Sequence, residues 1–500
     1  MKLLKTISLI YILLTLNMKC LNATGNFGHL LPFGSHREPS VKVLEINSVP
    51  QPIEFFENYV EPRRPVVFRG AAKRSRAFSE WTIENLQQEY GNLVVRLEAR
   101  AEHDNRMPVT ELGMGRDTVR HFLDNFKMLN AYVISQIPQP MEKDVAIPPC
   151  LRCGNFAKGI QDVHLFIVAK GGKTLLHRDP YSNIHCVFNG TKDWILVEDV
   201  YQDNLYQSES SVDEFGGYSN INIDAVDLKM FPDVTKIDYG RVTLNGGDCI
   251  FMPASYWHQV RVNGEYNTAV SIWFSRNFKH SIQNWDDCTN HKFDFTPMSE
   301  VDVLWRFSGK NETLTHGQTD INLLRFLLLS YANENNEISL AQFSKEMLNP
   351  KTSDEILQKL RHILDLDDVI RAERLRGLST EKMKEIMEAI NPSDVSNSAE
   401  FEYSYIDKED IRDILHKLLE DNENVSAEKF LREYSVQLGG SSAVAKQVFD
   451  KLDAEGNGYI TNLNVKKNFD GAVKKFLNAD QHDPTTERLW LRRLRERDEL

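Results

Sequence analysis

Before about residue 297, the chain alternates short apolar runs with turn residues. Residues 163–168 and 249–252 are apolar runs of strand length, which favours buried β-strands. Residues 185–188 and 193–197 flank Asn189-Gly190, a dipeptide that accepts positive φ at both turn positions and therefore predicts a β-hairpin. This pattern predicts a strand-and-loop domain in the front part of the chain.

Behind residue 297 the apolar positions recur with a helical period. Proline becomes rare: 14 of the 18 prolines precede Pro297, and proline is excluded from helix interiors. Two apolar stripes each occupy one helix face, which predicts core contacts between helices. Their members are Met383, Ile386, Met387 and Ile390 in one, and Ile411, Ile414, Leu415, Leu418 and Leu419 in the other. The sequence therefore predicts an α+β multidomain protein, with a β domain at residues 24–296 and an all-α domain at 297–486.

Both ends of the chain carry targeting patterns. Residues 1–23 combine Lys2 and Lys5 with an apolar run over 7–16 and a small or polar stretch, the layout of a secretory signal peptide. Residues 487–500 form a charged tail that ends in Arg-Asp-Glu-Leu, an ending read by the endoplasmic-reticulum retrieval receptor. Together they predict a protein of the endoplasmic-reticulum lumen that binds this receptor. We expect no membrane span, because the remaining apolar runs are too short.

Composition narrows the possible partners. The 500 residues include 59 Lys and Arg against 72 Asp and Glu, which gives a net charge of −13 and predicts no nucleic-acid partner. A luminal address leaves luminal or secreted polypeptides as the expected partners. N-glycosylation acceptor sequences agree with that route and predict a glycoprotein. They begin at Asn22, Asn189, Asn311 and Asn424.

Six cysteines are too few for a disulfide scaffold at this length. Cys150 and Cys153 form a Cys-x-x-Cys pair that fits a local disulfide, a redox pair or half of a zinc site. A disulfide that involves one or both of them, with Cys288 as a partner, is the favoured interpretation. Cys186 and Cys249 lie in predicted strands, where buried thiols are expected.

Two segments of the front domain contain candidate metal ligands. His177 and Asp179 are two residues apart, so in a strand their side chains point to the same side. His258 lies on a distant segment that a closed β-barrel can bring alongside. Two imidazoles and one carboxylate can occupy one face of an octahedral Fe(II). The alternative is a pair of satisfied core histidines and a turn aspartate before Pro180.

These residues belong to a longer set of motifs. It contains His177-x-Asp179, Asn183, Gly190-x-Lys192, the apolar strand 194–197 and Gly246-Gly-Asp-Cys-Ile-Phe-Met-Pro253-x-x-x-Trp257-His258. The set resembles the JmjC (cupin-like) family of Fe(II)- and 2-oxoglutarate-dependent dioxygenases over roughly residues 45 to 280. The small-hydroxylase branch, which includes a secretory-pathway JmjC protein, is the most similar.

The resemblance implies a double-stranded β-helix (jelly-roll) fold and a role for each motif. His177, Asp179 and His258 would bind iron, and Lys192 and Thr174 would contact the distal carboxylate of 2-oxoglutarate. Tyr132 and Asn183 are further co-substrate contacts implied by position. Ser271 departs from the pattern, since several relatives carry asparagine there. The implied activity is hydroxylation of a protein side chain, coupled to conversion of 2-oxoglutarate to succinate and carbon dioxide.

The helical half contains one candidate calcium loop. Asp453, Glu455, Asn457 and Tyr459 stand at positions one, three, five and seven of an EF-hand loop. Position twelve is Asn464 instead of a bidentate glutamate, which predicts weak calcium binding. Residues 338–343 and 425–430 resemble the second halves of degenerate EF-hands. The alternative is that the loop is merely a turn between helices.

Two readings compete with the luminal dioxygenase. In one, the barrel is a non-catalytic scaffold and the helical half acts as a luminal calcium-binding or adaptor protein. In the other, the barrel is a cupin-type metalloenzyme that does not use 2-oxoglutarate. The presence of His177, Asp179, His258, Thr174 and Lys192 together favours the dioxygenase, because a decayed enzyme has little reason to retain all five.

Overall fold

The computed structural model describes most of the chain between residues 28 and 476. The described residues are 28–99, 109–110, 112–127, 129, 131–208, 216–275, 288–306, 321–347, 353–366, 368–390, 403, 406–420, 422–438 and 440–476. The predicted signal peptide, the tail with the retrieval signal and the acceptor sequences at Asn22 and Asn311 lie outside them.

The front part of the chain is built mainly from β-strands. In chain order the strands are β1 Leu44–Ile46, β2 Val66–Phe68, β3 Val94–Ala99, β4 Val109–Thr110, β5 Gly113–Met114, β6 Arg116–Thr118, β7 Ala131–Gln136, β8 Ala146–Ile147, β9 Ile160–Ala169, β10 His177–Arg178, β11 Ser182–Val197, β12 Gly217–Tyr218, β13 Tyr239–Asn245, β14 Cys249–Met252, β15 Trp257–Phe274 and β16 Thr296–Pro297. Short helices connect them: α1 Pro52–Phe55, α2 Ala77–Glu80, α3 Ile83–Glu89, α4 Val119–Asn125 and α5 Gly154–Lys158.

Two long antiparallel strands, β11 and β15, organise the domain. The first half of β11 pairs with β14 and with the second half of β15, which in turn pairs with β9. The second half of β11 pairs with β13 and with the first half of β15, which also pairs with β10. Two sheets thus share the bent strands β11 and β15. A two-layer β-sandwich in the N-terminal half, followed by helices, confirms the predicted fold class at that level.

The predicted hairpin at Asn189-Gly190 is wrong. Residues 182–197 form one continuous strand, and its pairing with β15 shifts register on both sides of Asn189. Gly190 has φ +76°, and a Cβ atom at this position would lie 2.6 Å from the Tyr266 carbonyl oxygen. The positive φ therefore serves a β-bulge, which bends the strand from one sheet into the other instead of reversing it.

The space between the two sheets is filled by apolar side chains. Trp194, Leu196 and Val260 come from one sheet, and Ile250 and Met252 from the other, all in one buried cluster. A larger apolar cluster lies on the outer face of the sheet that contains β9 and packs the connecting helices onto that sheet. It includes Phe55, Phe251 and Phe274. Each large apolar side chain that is fully buried contributes about 1.5–3 kcal/mol.

Two disulfides close the sandwich domain. Cys153 is bonded to Cys288, in line with the favoured interpretation of that motif. Cys186 is bonded to Cys249, so the expectation of two buried thiols is wrong. Strand pairing explains the bond, because the register of β11 and β14 places these two residues directly opposite each other. Cys150 is a buried free cysteine.

The later part of the chain is helical. Its helices are α6 Ile321–Ser330, α7 Leu340–Met347, α8 Ser353–Leu364, α9 Ala372–Arg376, α10 Thr380–Ile390, α11 Lys408–Glu420, α12 Ala427–Leu438, α13 Ser442–Leu452 and α14 Asn462–Ala472. Both predicted apolar stripes lie on single helices, α10 and α11, and except for half-buried Ile390 their members are buried. The predicted helix–helix contacts are therefore confirmed.

Short strands join the helices into two similar units. β17 Glu337–Ser339 pairs with β18 Val369–Arg371, and β19 Val425–Ser426 pairs with β20 Tyr459–Ile460. Each strand lies between two helices, so each unit consists of two helix–strand–helix segments joined by an antiparallel ladder. The described helices include none that is both long and apolar enough to cross a bilayer.

The segment around residue 300 contacts both parts of the protein. β16 pairs with β8, and the Leu304 amide donates to the Ile160 carbonyl at the start of β9. The Trp305 side chain packs instead in the core of helices α6–α10. The boundary at residue 297 stays a prediction, and residues 296–305 connect the sandwich with the helices.

Candidate metal centre

His177, Asp179 and His258 converge at one end of the sandwich. β10 and β15 pair so that His177 stands directly opposite His258, with ring centroids 4.2 Å apart. Asp179 follows the last residue of β10, and its two carboxylate oxygens lie 3.8 Å from His177 Nε2 and 3.6 Å from His258 Nε2. One ligand atom from each residue lies within 4.8 Å of the others. The structure therefore brings the three predicted ligands together.

Backbone carbonyls orient both imidazoles. His177 Nδ1 lies 2.9 Å from the Leu175 carbonyl oxygen, and His258 Nδ1 lies 3.0 Å from the Tyr256 carbonyl oxygen. A carbonyl only accepts, so each Nδ1 donates its proton and each Nε2 keeps a free lone pair. Both lone pairs are next to the same carboxylate. This is the arrangement of outer partners that fixes histidine ligands for a metal ion.

Burial keeps His258 in the form that binds metals. Desolvation and, next, the neighbouring His177 lower the pKa of His258 to about 4, against the opposing effect of Asp179. A neutral imidazole is the metal-binding form, so no proton has to leave this ring at neutral pH. Two neutral nitrogens and one carboxylate are the donor set of non-haem Fe(II) sites, and the residues present fit that ion.

Asn183 supports the carboxylate from the neighbouring strand. Its Nδ2 donates to Asp179 Oδ2 at 3.2 Å, and the side chain is buried. The Trp194 ring stacks on His258 at 5.5 Å, and the Tyr218 ring stacks on His177 at 5.8 Å. Asn183 thus holds a predicted iron ligand in place, and its predicted contact with the co-substrate stays a prediction.

Lys192 is buried in the interior of the sandwich. It lies two residues before Trp194 on β11, so the two side chains point to the same face of that strand. Only 4% of the residue is exposed, and burial lowers the pKa of Lys192 from 10.5 to about 7. Its Nζ lies 3.0 Å from His185 Nε2 and 5.1 Å from the centre of the Phe166 ring. Within the described part of the chain, no carboxylate forms an ion pair with this lysine. The predicted contact of Lys192 with the co-substrate stays a prediction.

Tyr132 lies on β7, and Thr174 lies in the segment just before β10, next to β15. The Thr174 hydroxyl accepts a hydrogen bond of 2.9 Å from the Val260 amide, which leaves its own proton available for a further acceptor. Val260 is also paired with Trp194, so Thr174 lies across one strand from β11. Tyr132 is two residues before Ile134, whose partner is Phe166, and strand alternation places all three on one face.

Sequence reasoning missed His185, which lies beside Lys192, and noted Ser271 only as a departure from the family pattern. His185 Nδ1 lies 2.7 Å from Ser271 Oγ, and both residues are buried. His185 and Lys192 are seven residues apart, which in a regular strand means opposite faces. The bulge between Val187 and Thr191 adds one residue and restores them to the same face. The signal available in the sequence was a pair of polar residues, His185 and Lys192, an odd number of positions apart on either side of Asn189-Gly190.

The candidate calcium loop lies far along the chain, between α13 and α14. Asp453 is buried, and its carboxylate oxygens accept hydrogen bonds from the Asn457 and Gly458 amides at 2.9 and 2.8 Å. Glu455 and Tyr459 are exposed. Asn464 Oδ1 accepts from the Thr461 amide at 2.9 Å in a capping box at the start of α14. Position twelve is therefore occupied with capping the helix, which agrees with the predicted weakness of the site.

The sandwich domain is similar to one known protein family. Residues 52–280 match the family described as "Cupin-like domain". The two-sheet fold and the His-Asp-His group agree with this match.

The curated proteins similar to this chain include a lysine-specific demethylase and a Jumonji C domain-containing protein. Lysine-specific demethylase 8 of Xenopus tropicalis is 24% identical over 231 residues, 44% of this chain and 50% of the relative. Jumonji C domain-containing protein 5 of Drosophila melanogaster is 27% identical over 253 residues, 47% of this chain and 62% of the relative. HSPB1-associated protein 1 of Homo sapiens is 30% identical over 121 residues, 24% of this chain and 25% of the relative. The chain spans about half the length of the first two.

Proposed function

We propose that the protein is an Fe(II)- and 2-oxoglutarate-dependent oxygenase that hydroxylates a protein side chain in the endoplasmic-reticulum lumen. The observation that carries the proposal is the convergence of His177 Nε2, His258 Nε2 and the Asp179 carboxylate, with both Nδ1 atoms bound to backbone carbonyls. These three residues would hold the iron and leave its opposite side open.

The environment of Lys192 supports the choice of co-substrate. A buried ammonium group without a carboxylate partner is costly unless an anion from outside neutralises it. The distal carboxylate of 2-oxoglutarate is such an anion, and the Thr174 hydroxyl can donate to it. Iron with a bound 2-oxo acid supplies oxygen activation and oxidation of a C–H bond. The apolar walls around Trp194 and Phe166 keep bulk water from this space.

The substrate we infer is a luminal or secreted polypeptide. Two of the relatives named above are called a lysine demethylase and a Jumonji C protein. Demethylation by oxidation of an N-methyl group and hydroxylation of a carbon side chain both oxidise a C–H bond, so the two reactions use the same chemistry. A net charge of −13 works against a substrate bound to nucleic acid. We therefore favour side-chain hydroxylation, which adds one oxygen to the substrate mass, over removal of a methyl group.

The direct test is co-substrate turnover by protein purified without oxygen. After Fe(II) loading, addition of 2-oxoglutarate and air is expected to produce succinate slowly even without a polypeptide substrate. Incubation with luminal proteins, followed by peptide mass spectrometry, is expected to reveal a gain of one oxygen. Failure to retain iron and to convert 2-oxoglutarate would favour the non-catalytic scaffold, and iron retention with no use of 2-oxoglutarate would favour another cupin-type metalloenzyme.

Disulfides support the proposed luminal location. Bonds such as Cys153–Cys288 and Cys186–Cys249 persist in oxidising compartments and are rare in the cytosol. Peptide mapping of unreduced protein from its own cells is expected to yield both linked pairs. Cys150 should be alkylated only after unfolding, because it is buried and burial raises its pKa well above 9.0. Recovery of both pairs as thiols would contradict the luminal assignment.

Calcium binding by the helical half is a second candidate function. Paired helix–strand–helix segments and the Asp453 carboxylate bound to loop amides are features of EF-hand pairs. Because Asn464 caps α14, we expect affinity of roughly 0.1–1 mM at best. The retrieval receptor remains the partner proposed for the C-terminal residues.

Calorimetric titration tests the calcium proposal. The wild-type protein is expected to show one weak site that Asp453→Ala removes. Asn464→Glu supplies the missing carboxylate and should strengthen binding at least about tenfold. Asp470→Ala changes an exposed carboxylate on the same unit and serves as the matched control. The absence of any binding at millimolar calcium would assign the loop a structural role alone.

A further inference from the structure

A continuous row of hydrogen bonds crosses the interior from β15 to Lys192. Ser271 Oγ and His185 Nδ1 are 2.7 Å apart, and His185 Nε2 and Lys192 Nζ are 3.0 Å apart. The exposed fractions of the three residues are 4%, 3% and 4%. The row is thus shielded from bulk solvent, and its geometry is set by the fold.

The lysine determines the direction of every hydrogen bond in the row. In the protonated form of Lys192 the ammonium group only donates, so His185 Nε2 accepts from Lys192 and His185 Nδ1 carries the proton that Ser271 Oγ accepts. Burial, and next the charge of Lys192, hold the pKa of His185 well below 6.5, so this ring stays neutral. His185 therefore orients the lysine without neutralising its charge.

Aromatic rings fix the position of His185. Phe166 and Trp194 contact it in edge-on arrangements, with ring centroids 5.4 and 5.3 Å away. Trp194 in turn stacks on His258, one of the three candidate ligands. Leu196 on β11 is the strand partner of His258. Lys192 lies four residues before Leu196, so it is about 13 Å along the strand from the position opposite His258. A lysine side chain and a five-carbon diacid together can bridge that distance.

We propose that His185 is a positioning residue, which with Ser271 holds the Lys192 ammonium in the one orientation that receives the distal carboxylate of a 2-oxo diacid. This inference rests on the proposed function and extends it to the choice between co-substrates. Of the three ammonium protons, one is used by His185 and two remain for the carboxylate. A 2-oxo acid without a distal carboxylate leaves these two N–H donors unpaired, so its binding affinity does not depend on His185.

Binding measurements on full-length protein loaded with Mn(II), without oxygen, test the inference independently of turnover. The probes are 2-oxoglutarate and 2-oxobutyrate, which lacks the distal carboxylate. His185→Phe keeps a flat ring and removes the acceptor, so it is expected to weaken 2-oxoglutarate binding about tenfold. Binding of 2-oxobutyrate should change by less than about twofold. His185→Gln restores an acceptor and should recover most of the loss.

Mn(II) affinity reports whether each variant is folded. If His185→Phe does not bind Mn(II), Ser271→Ala removes a single hydroxyl and takes its place, with an expected two- to fivefold loss for 2-oxoglutarate alone. Equal losses for both acids, or none, would overturn the positioning role and leave the proposed function intact. Mn(II) binding by the wild type without any binding of 2-oxoglutarate would overturn both.

Discussion

Replacing Asp179 with alanine is expected to abolish iron retention and succinate formation together. The carboxylate is the only acidic group among the three converging side chains, and both free imidazole nitrogens face it at 3.6–3.8 Å. Two neutral imidazoles alone bind Fe(II) weakly. Loss of an outer partner already costs a metal site 10–100-fold in affinity, so loss of a ligand should exceed about a hundredfold. Anaerobic equilibrium dialysis and the succinate assay measure the two effects.

We expect the Asp179 side chain to be dispensable for folding, which makes the variant informative. Its carboxylate accepts one side-chain hydrogen bond, from Asn183, while its backbone carbonyl accepts from the Ser255 amide and is unaffected by the change. Thermal stability of the metal-free variant should stay close to that of wild type. Asp203→Ala removes an exposed carboxylate from the same domain and should leave iron and turnover unchanged. Iron retention and turnover by Asp179→Ala would refute the proposed centre.

Local pattern was sufficient to predict several individual helices and strands of the fold. Helices α10 and α11 follow from apolar residues at helical spacing, since that period is the same whatever the helix packs against. Strands β9 and β14 follow from short apolar runs. The convergence of His177 and His258 depends on pairing between distant segments, and the motif resemblance supplied it where periodicity could not.

The features missed by sequence reasoning all depend on register. Asn189-Gly190 satisfies the rule for a hairpin turn, yet β15 is long enough to pair with residues on both sides, and this pairing favours a bulge in a continuous strand. The same register places Cys186 opposite Cys249 and brings His185 next to Lys192. A strand register is fixed by the whole sheet, so a short window of sequence does not by itself determine these contacts.

Replacing Lys192 with methionine is expected to stabilise the metal-free protein while it eliminates 2-oxoglutarate binding. Methionine has a similar length, packs well against Phe166 and needs no counter-charge. Exchange of a buried charge for an apolar residue is often stabilising, by about 1–4 kcal/mol. Because the cation proposed to face the distal carboxylate is then lost, affinity for 2-oxoglutarate should fall at least about a hundredfold.

The stabilisation should depend on pH in a defined direction. Below about pH 7 the lysine is protonated in both native and unfolded wild-type protein, so the cost of burying the charge is complete. Between about pH 7 and 10.5 the unfolded chain binds more protons than the native protein, and wild-type stability rises with pH. The gap in unfolding free energy between Lys192→Met and wild type should therefore be larger at pH 7 than at pH 9.5.

Urea unfolding of metal-free protein at both pH values measures that gap. Lys170→Met is the matched control, because the Lys170 side chain is 73% exposed and its replacement should change neither stability nor co-substrate affinity appreciably. A destabilised Lys192→Met variant would mean that the free protein compensates the buried charge of the lysine, through His185 or another partner. The burial of Lys192 would then no longer indicate an anion-binding site. Stabilisation of the variant together with loss of 2-oxoglutarate binding is the result expected of a residue that is retained for function at the expense of stability.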